Sequence, residues 1–172
     1  GFAKLAFGSV AESVLRRVPC PVLVTGPHCS EHLETVRSIV FATGLEAPPF
    51  RPAQYASGIA EELNARLTLL HVRKPAPREA EVPSRNIDHL LIEKLQELLP
   101  PDAESCCQTK VRVEVGNASE QVLRVAQEEG SNLIVVGVRE SSSLADHSPW
   151  SPLSQIIRGA HCPLLAVRSH LV

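Results

Sequence analysis

Apolar and polar positions along the chain follow two rhythms. Short apolar runs recur at Ser38-Ile39-Val40-Phe41-Ala42-Thr43, Leu67-Thr68-Leu69-Leu70-His71-Val72, Asn132-Leu133-Ile134-Val135-Val136-Gly137 and Leu164 to Val167. Each is short enough for a strand buried on both faces. Lys110 to Val115 alternates instead, which predicts a more exposed strand. Between these runs the spacing is helical. Residues 51–65 carry it through Tyr55, Ile59 and Leu63, and Ile87 to Leu99 through Leu91, Leu95 and Leu98, with Pro100-Pro101 as the stop. Asn117 opens another helix as its cap, with Glu120 at the capping-box position, and Gly130 suits the left-handed site after its end. Residues 73–85 and Val138 to Pro149 read as loops. Strand and helix alternate throughout, so the pattern predicts an α/β fold with a parallel sheet and right-handed crossovers.

The two ends of the chain repeat one another. Gly8-Ser9-Val10-Ala11-Glu12-Ser13-Val14-Leu15-Arg16-Arg17 precedes Val18-Pro19-Cys20-Pro21-Val22-Leu23-Val24. Trp150-Ser151-Pro152-Leu153-Ser154-Gln155-Ile156-Ile157-Arg158-Gly159 precedes Ala160-His161-Cys162-Pro163-Leu164-Leu165-Ala166. A constant offset of 142 residues matches Ser9 with Ser151, Arg16 with Arg158 and Cys20-Pro21 with Cys162-Pro163. Each copy reads as a capped short helix, a Cys-Pro turn and a short strand. The chain accordingly divides into residues 1–27, the last helix and strand of a preceding repeat, a linker at 28–36, and one complete unit at 37–169. Residues 20–25 are expected to pair antiparallel with residues 163–168, within the chain or between two copies, because an apolar strand at a sheet edge needs a partner.

Composition narrows the function classes. The 172 residues are 44% hydrophobic and 21% charged, as in ordinary globular domains. A net charge of −2 without a polybasic run argues against a nucleic-acid partner. No apolar stretch approaches the roughly 18–20 residues of a membrane span. The five cysteines include no Cys-x-x-Cys pair, and no secretory signal accompanies them, so the expected compartment is the cytoplasm. The chain has no methionine and opens inside a helix-like pattern, which suits a piece of a longer tandem protein.

Gly8-Ser9-Val10-Ala11-Glu12 followed by Cys20-Pro21-Val22-Leu23-Val24 resembles the end of a universal stress protein (UspA-like) domain. Residues 36–168 look like a complete domain of the same family, through Ile39-Val40-Phe41-Ala42-Thr43, Ala65 to Val72, Val115-Gly116-Asn117-Ala118-Ser119-Glu120 and Ser131 to Gly137. The resemblance implies a Rossmann-like, adenine nucleotide alpha hydrolase-like fold. Its five parallel strands would stand in the order 3-2-1-4-5 with helices on both faces. The ligand crevice of such a sheet lies at the carboxyl ends of strands 1 and 4.

Many members of that family share an ATP site. It uses an Asp after strand 1, main-chain groups after strand 2, and a Gly-x2-Gly-x9-Gly-Ser/Thr loop after strand 4. Glycines there let backbone approach phosphate, and the final Gly-Ser sets phosphate at a helix N-terminus. In this chain the Asp position falls at Gly44, and the loop glycines fall at Gly137, Glu140 and Trp150. Only Gly137 and Ser151 keep their type. A carboxylate at Glu140 would oppose phosphate by about 1–4 kcal/mol at about 4 Å, and the Trp150 indole fills a position that needs no side chain. Val72 stands at the adenine contact and would act through backbone, and Arg139 offers a cation. Gly8 and Ser9 are the remnant of the phosphate loop in the preceding repeat, and as they stand they cap a helix.

These positions predict a non-catalytic stress-response domain with a degenerate ATP motif and no resident cofactor. It would act through pairing of its fifth strand, Val22, Leu23 and Val24 against Leu164, Leu165 and Ala166, as an inter-repeat contact or a homodimer. Two alternatives stay open: an ATP-binding switch with atypical loop contacts, and a small-ligand or metal module around Trp150 and His71. His28, Cys29 and His32 have loose ligand spacing but read as a polar linker, since zinc sites use four ligands, or three plus water.

Overall fold

A computed structural model describes residues 14–15, 18–30, 36–45, 50–75, 84–100, 108–138 and 152–169. The described elements run β1 (Val22–Val24), β2 (Ser38–Thr43), α1 (Phe50–Glu62), β3 (Arg66–Arg73), α2 (Ser84–Gln96), β4 (Thr109–Val115), α3 (Ala118–Glu128), β5 (Leu133–Val138), α4 (Pro152–Gly159) and β6 (Leu164–Arg168). The strands form one sheet in the order β1-β6-β5-β2-β3-β4. From β2 onward the pairings are all parallel and follow the expected 3-2-1-4-5 order. The expectation of a five-stranded, wholly parallel sheet is corrected by β1, a sixth strand that joins β6 antiparallel. Parallel neighbours need long crossovers; β1 arrives from the preceding chain and lies the other way.

Both sheet faces are covered, which is why β2 and β5 read as unbroken apolar runs. On one face Ile39, Phe41, Leu67, Leu69, Val135 and Val167 meet α1 and α2. On the other, Val40, Leu70, Ile134, Val136, Leu164 and Ala166 meet α3 and α4. Leu15 from the amino-terminal segment is buried in this second cluster, with Val22 and Val24 against it.

Helix α1 departs from the expected stripe. Tyr55 and Leu63 are exposed, and the buried residues are Pro52, Ala53, Ala56, Ser57 and Ala60. Small side chains bring the helix close to the sheet, so the contacting face carries the least volume. Its end also comes earlier than residue 65: Asn64 takes a left-handed φ of 48°, and Ala65 N–H donates to Ala60 O at 2.8 Å. Asparagine tolerates that conformation and stops the helix. Helix α2 starts at Ser84, inside the stretch read as loop, and buries Leu95 fully.

Helix α3 ends as its sequence predicts. Asn117 Oδ1 accepts from Ser119 N at 3.0 Å and Glu120 N at 3.3 Å. Gly130 sits at φ 58°, with Gly130 N–H donating to Gln127 O and Ser131 N–H to Ala126 O. That pair of bonds is a Schellman motif. The outer side of α3 carries a charge network with β4. Arg112 reaches Glu114 at 2.6 Å, Glu128 at 2.9 Å and Glu129 at 3.1 Å. Lys110 meets Glu129 at 2.6 Å, and Arg124 meets Glu114 at 2.6 Å and Glu128 at 2.5 Å.

Candidate functional site

After β2 the chain turns to α1 on one face of the sheet; after β5 it continues toward α4 on the other. Adjacent strands whose connections leave in opposite directions open a crevice at their carboxyl ends. Gly44, Val72 and Gly137 are brought together around those ends by the pairing of β2 with β3 and β5. Arg139, Ser151, Glu140 and Trp150 lie outside the described residues, as do Gly8 and Ser9.

Each described position has its own local cause. At Gly44 no atom of the described residues stands within 4 Å of where a Cβ would lie, so nothing in their packing demands glycine. Gly137 differs: a Cβ there would meet Pro52 Cγ at 3.3 Å and Ser169 Oγ at 3.5 Å. Its missing side chain lets the first turn of α1 approach the end of β5. Val72 is half-buried against the α3–α4 face.

The side-chain chemistry at these ends comes from Thr43, His71, Arg51 and Arg73, of which the sequence singles out only His71. Thr43 closes β2 with a hydroxyl that accepts from Leu45 N at 3.3 Å. His71, buried at the end of β3, sets Nδ1 2.9 Å from Thr43 O. A carbonyl only accepts, so Nδ1 carries the proton and Nε2 stays an acceptor in the neutral ring. Arg51, on the first turn of α1, donates to Arg168 O at 3.4 Å and stands 5.6 Å over the Tyr55 ring. Arg73 pairs with Asp88 at 2.8 Å, tying β3 to α2. The signal for Thr43 is a hydroxyl ending an apolar run. His71 is visible in sequence as a ring at a strand end, but its carbonyl partner is not. The described end of the crevice thus presents two glycines, a hydroxyl and an imidazole, and Arg51 and Arg73 are both engaged. Among the described residues no group of three or more His, Cys, Asp or Glu could hold a metal ion. No described helix is long and apolar enough to cross a membrane.

The second candidate region is the β6 edge. Val22 stands opposite Ala166, Leu23 opposite Leu165 and Val24 opposite Leu164. Just beyond β1, a Cβ on Gly26 would overlap the Ile157 carbonyl oxygen, so the segment leaving β1 lies directly against α4. Ser30 N–H donates to His161 O at 3.0 Å, and the His28 and His161 rings lie 6.1 Å apart.

Compared with known folds, the chain matches universal stress proteins. One from Archaeoglobus fulgidus DSM 4304 aligns with a TM-score of 0.70 at 20% identity, over 96% of this chain and 55% of that chain. A putative one from Pseudomonas aeruginosa UCBPP-PA14 aligns at 0.67 and 18% identity, over 94% of this chain and 56% of that chain. This chain therefore spans little more than half the length of those two. A universal stress protein in complex with cAMP aligns at 0.64 and 18% identity, over 80% of this chain and 100% of that one. Among curated protein sequences none matches. The sequence model of the universal stress protein family matches residues 35–168, most of the chain and all of the sheet from β2 to β6, and on that match the chain belongs to the universal stress protein family.

Proposed function

We propose that this chain is a non-catalytic, cytoplasmic stress-response domain whose working surface is the β6 edge rather than an ATP site. Residues 1–27 belong to a preceding repeat, 28–36 link the two, and 37–169 form the complete unit. The carrying observation is the β1–β6 register, in which Val22–Val24 lie antiparallel to Leu164–Ala166. The relatives of roughly twice this length, which align over 96% and 94% of this chain, fit the tandem reading. Its partners are a neighbouring repeat or a second copy of the chain, joined edge to edge, and not nucleic acid.

The crevice supports the same reading by what it lacks. Gly44 supplies no carboxylate, Gly137 is accounted for by Pro52, and the loop sequence brings Glu140 and Trp150 where small, neutral positions suit phosphate. The neighbour in complex with cAMP makes cyclic and linear adenine nucleotides the ligands to test. Isothermal titration of the chain with magnesium-ATP and with cAMP is expected to give no saturable heat at micromolar concentration. Micromolar binding of either would overturn the degenerate-crevice reading and favour a nucleotide switch with atypical loop contacts.

A further inference from the structure

His28 stands in the turn that leaves β1, and His161 in the turn between α4 and β6; their ring centres are 6.1 Å apart, with the planes tilted by 48°. We propose that the pair is a two-imidazole site for a divalent late transition-metal ion, of the nickel(II), copper(II) or zinc(II) class, which staples the segment after β1 onto the start of β6. Neutral imidazole is the side chain that suits these ions. A ring nitrogen lies about 2.0–2.1 Å from such an ion and the ring centre about 1.2 Å beyond, so two rings on one ion have centres up to about 6.5 Å apart. The observed spacing is within that reach.

The backbone around both rings is held. Ser30 N–H donates to His161 O at 3.0 Å, and Cys29 N–H closes a turn on Gly26 O at 3.2 Å. Gly26 itself lies against the Ile157 carbonyl, where a Cβ would overlap the oxygen. These contacts fix the two segments, while both histidine side chains are exposed, so small turns about their own bonds aim them at a common ion without disturbing the core. The local field favours a cation. His161 shares its surroundings with Gly130 and Ser131 just past α3, and with Gly159 and Ala160 at the end of α4. Helix carboxyl ends carry partial negative charge, and a cation is stabilised beside the last turn. Among the described residues no third His, Cys, Asp or Glu completes a cluster with the pair. Water fills the remaining positions, so the affinity is micromolar rather than that of a closed four-ligand site. The site rests on the β1–β6 pairing itself and not on the role proposed for that edge.

The test titrates nickel(II) into the full chain by calorimetry at about pH 7.5, where histidine side chains are ordinarily neutral. One saturable micromolar site is expected. His28→Gln and His161→Gln should each weaken it at least about tenfold, since each removes one of two protein ligands. Both positions are exposed, so both variants should unfold like the wild type when no metal is added. His89→Gln is the control: that ring is exposed on α2, on the other face of the sheet, and its loss should leave binding unchanged. An ion held only where the two segments meet also stabilises the fold by mass action, so saturating nickel(II) should raise the urea midpoint of the wild type and of neither ligand variant. The proposal is overturned if no saturable site is found, if either ligand variant binds less than tenfold weaker, if His89→Gln loses the site, or if the wild-type midpoint does not rise.

Discussion

The parallel part of the sheet has two outer strands, β4 and β6, and they are guarded in opposite ways. Along β4 every second residue from Lys110 to Glu114 is charged, and those charges lock onto Arg124, Glu128 and Glu129 of α3 and its end. Along β6 the sequence Leu164-Leu165-Ala166-Val167 holds no charge before Arg168, and β1 covers it. An unpaired row of backbone groups invites another strand unless charge, a bulge or a cover prevents it. The first edge carries charge and the second a strand. The difference agrees with the proposal that pairing takes place at β6, and it predicts unlike outcomes when the two guards are removed: self-association at β6, a modest loss of stability at β4.

The largest effect should come from lifting β1. Neighbouring residues in a strand point their N–H groups to opposite sides, so Leu23→Pro with Val24→Pro removes a ladder donor whichever way β1 faces. The β6 edge is then open, and sedimentation velocity should show more self-association than the wild type at the same concentration. A double variant that associates no more than the wild type, with unchanged unfolding, would break the comparison. A milder route is Gly26→Ala, whose Cβ overlaps the Ile157 carbonyl oxygen. Overpacking of this kind costs about 1–3 kcal/mol, readable as a lower urea midpoint.

Legibility in sequence differs between the two edges. The β1–β6 contact can be read from the 142-residue repeat, because a Cys-Pro turn and a strand recur as one local unit. The order of the parallel strands follows from alternation and the family resemblance. Asn117 and Gly130 are legible because caps act within a few residues. Contacts between distant elements that no repeat marks are what sequence does not expose. Lys110, Arg112 and Glu114 read only as an exposed strand, since nothing local says that Glu128 and Glu129 come to meet them. In α1 the large side chains Tyr55 and Leu63 draw the stripe, while Ala53, Ala56 and Ala60 form the buried face. The meeting of His28 with His161 requires three-dimensional neighbours to be noticed at all. At the crevice, the residue types at Gly44 and Gly137 are plain, but their causes, open space at one and Pro52 at the other, are not.

Removing the β4 guard should cost less. Burial alone would lower the Arg112 pKa, but its hydrogen bonds to Glu114, Glu128 and Glu129 outweigh that and raise the value. Glu129 is held below the usual glutamate value of 4.5, chiefly by Lys110 and, against burial, also by Arg112. A carboxylate with a depressed folded pKa stabilises the fold above its unfolded value, and that contribution is lost as pH falls through the folded value. Arg112→Leu should therefore lower unfolding free energy by about 1–2 kcal/mol at pH 7, since the network is half-buried and partly screened. The gap to wild type should shrink as pH drops below 4.5. Urea unfolding of both proteins between pH 7 and about 3 measures it. A gap that stays constant across that window would show that Arg112 acts through packing alone.

The smallest effect is expected at the crevice, where a change leaves both edges intact. Among the described residues Gly44 has open space at its Cβ, and it has no left-handed φ, so Gly44→Asp should shift stability by no more than about 0.5 kcal/mol. The change supplies the carboxylate that the family's ATP site places after its first strand. Glu140 and Trp150 remain in the loop, so magnesium-ATP should still give no micromolar binding by titration calorimetry. Sedimentation should also match the wild type, because β6 and β1 are untouched. If Gly44→Asp gains micromolar affinity, one missing side chain is all that separates this crevice from a nucleotide site, and the β6 edge loses its standing as the sole working surface.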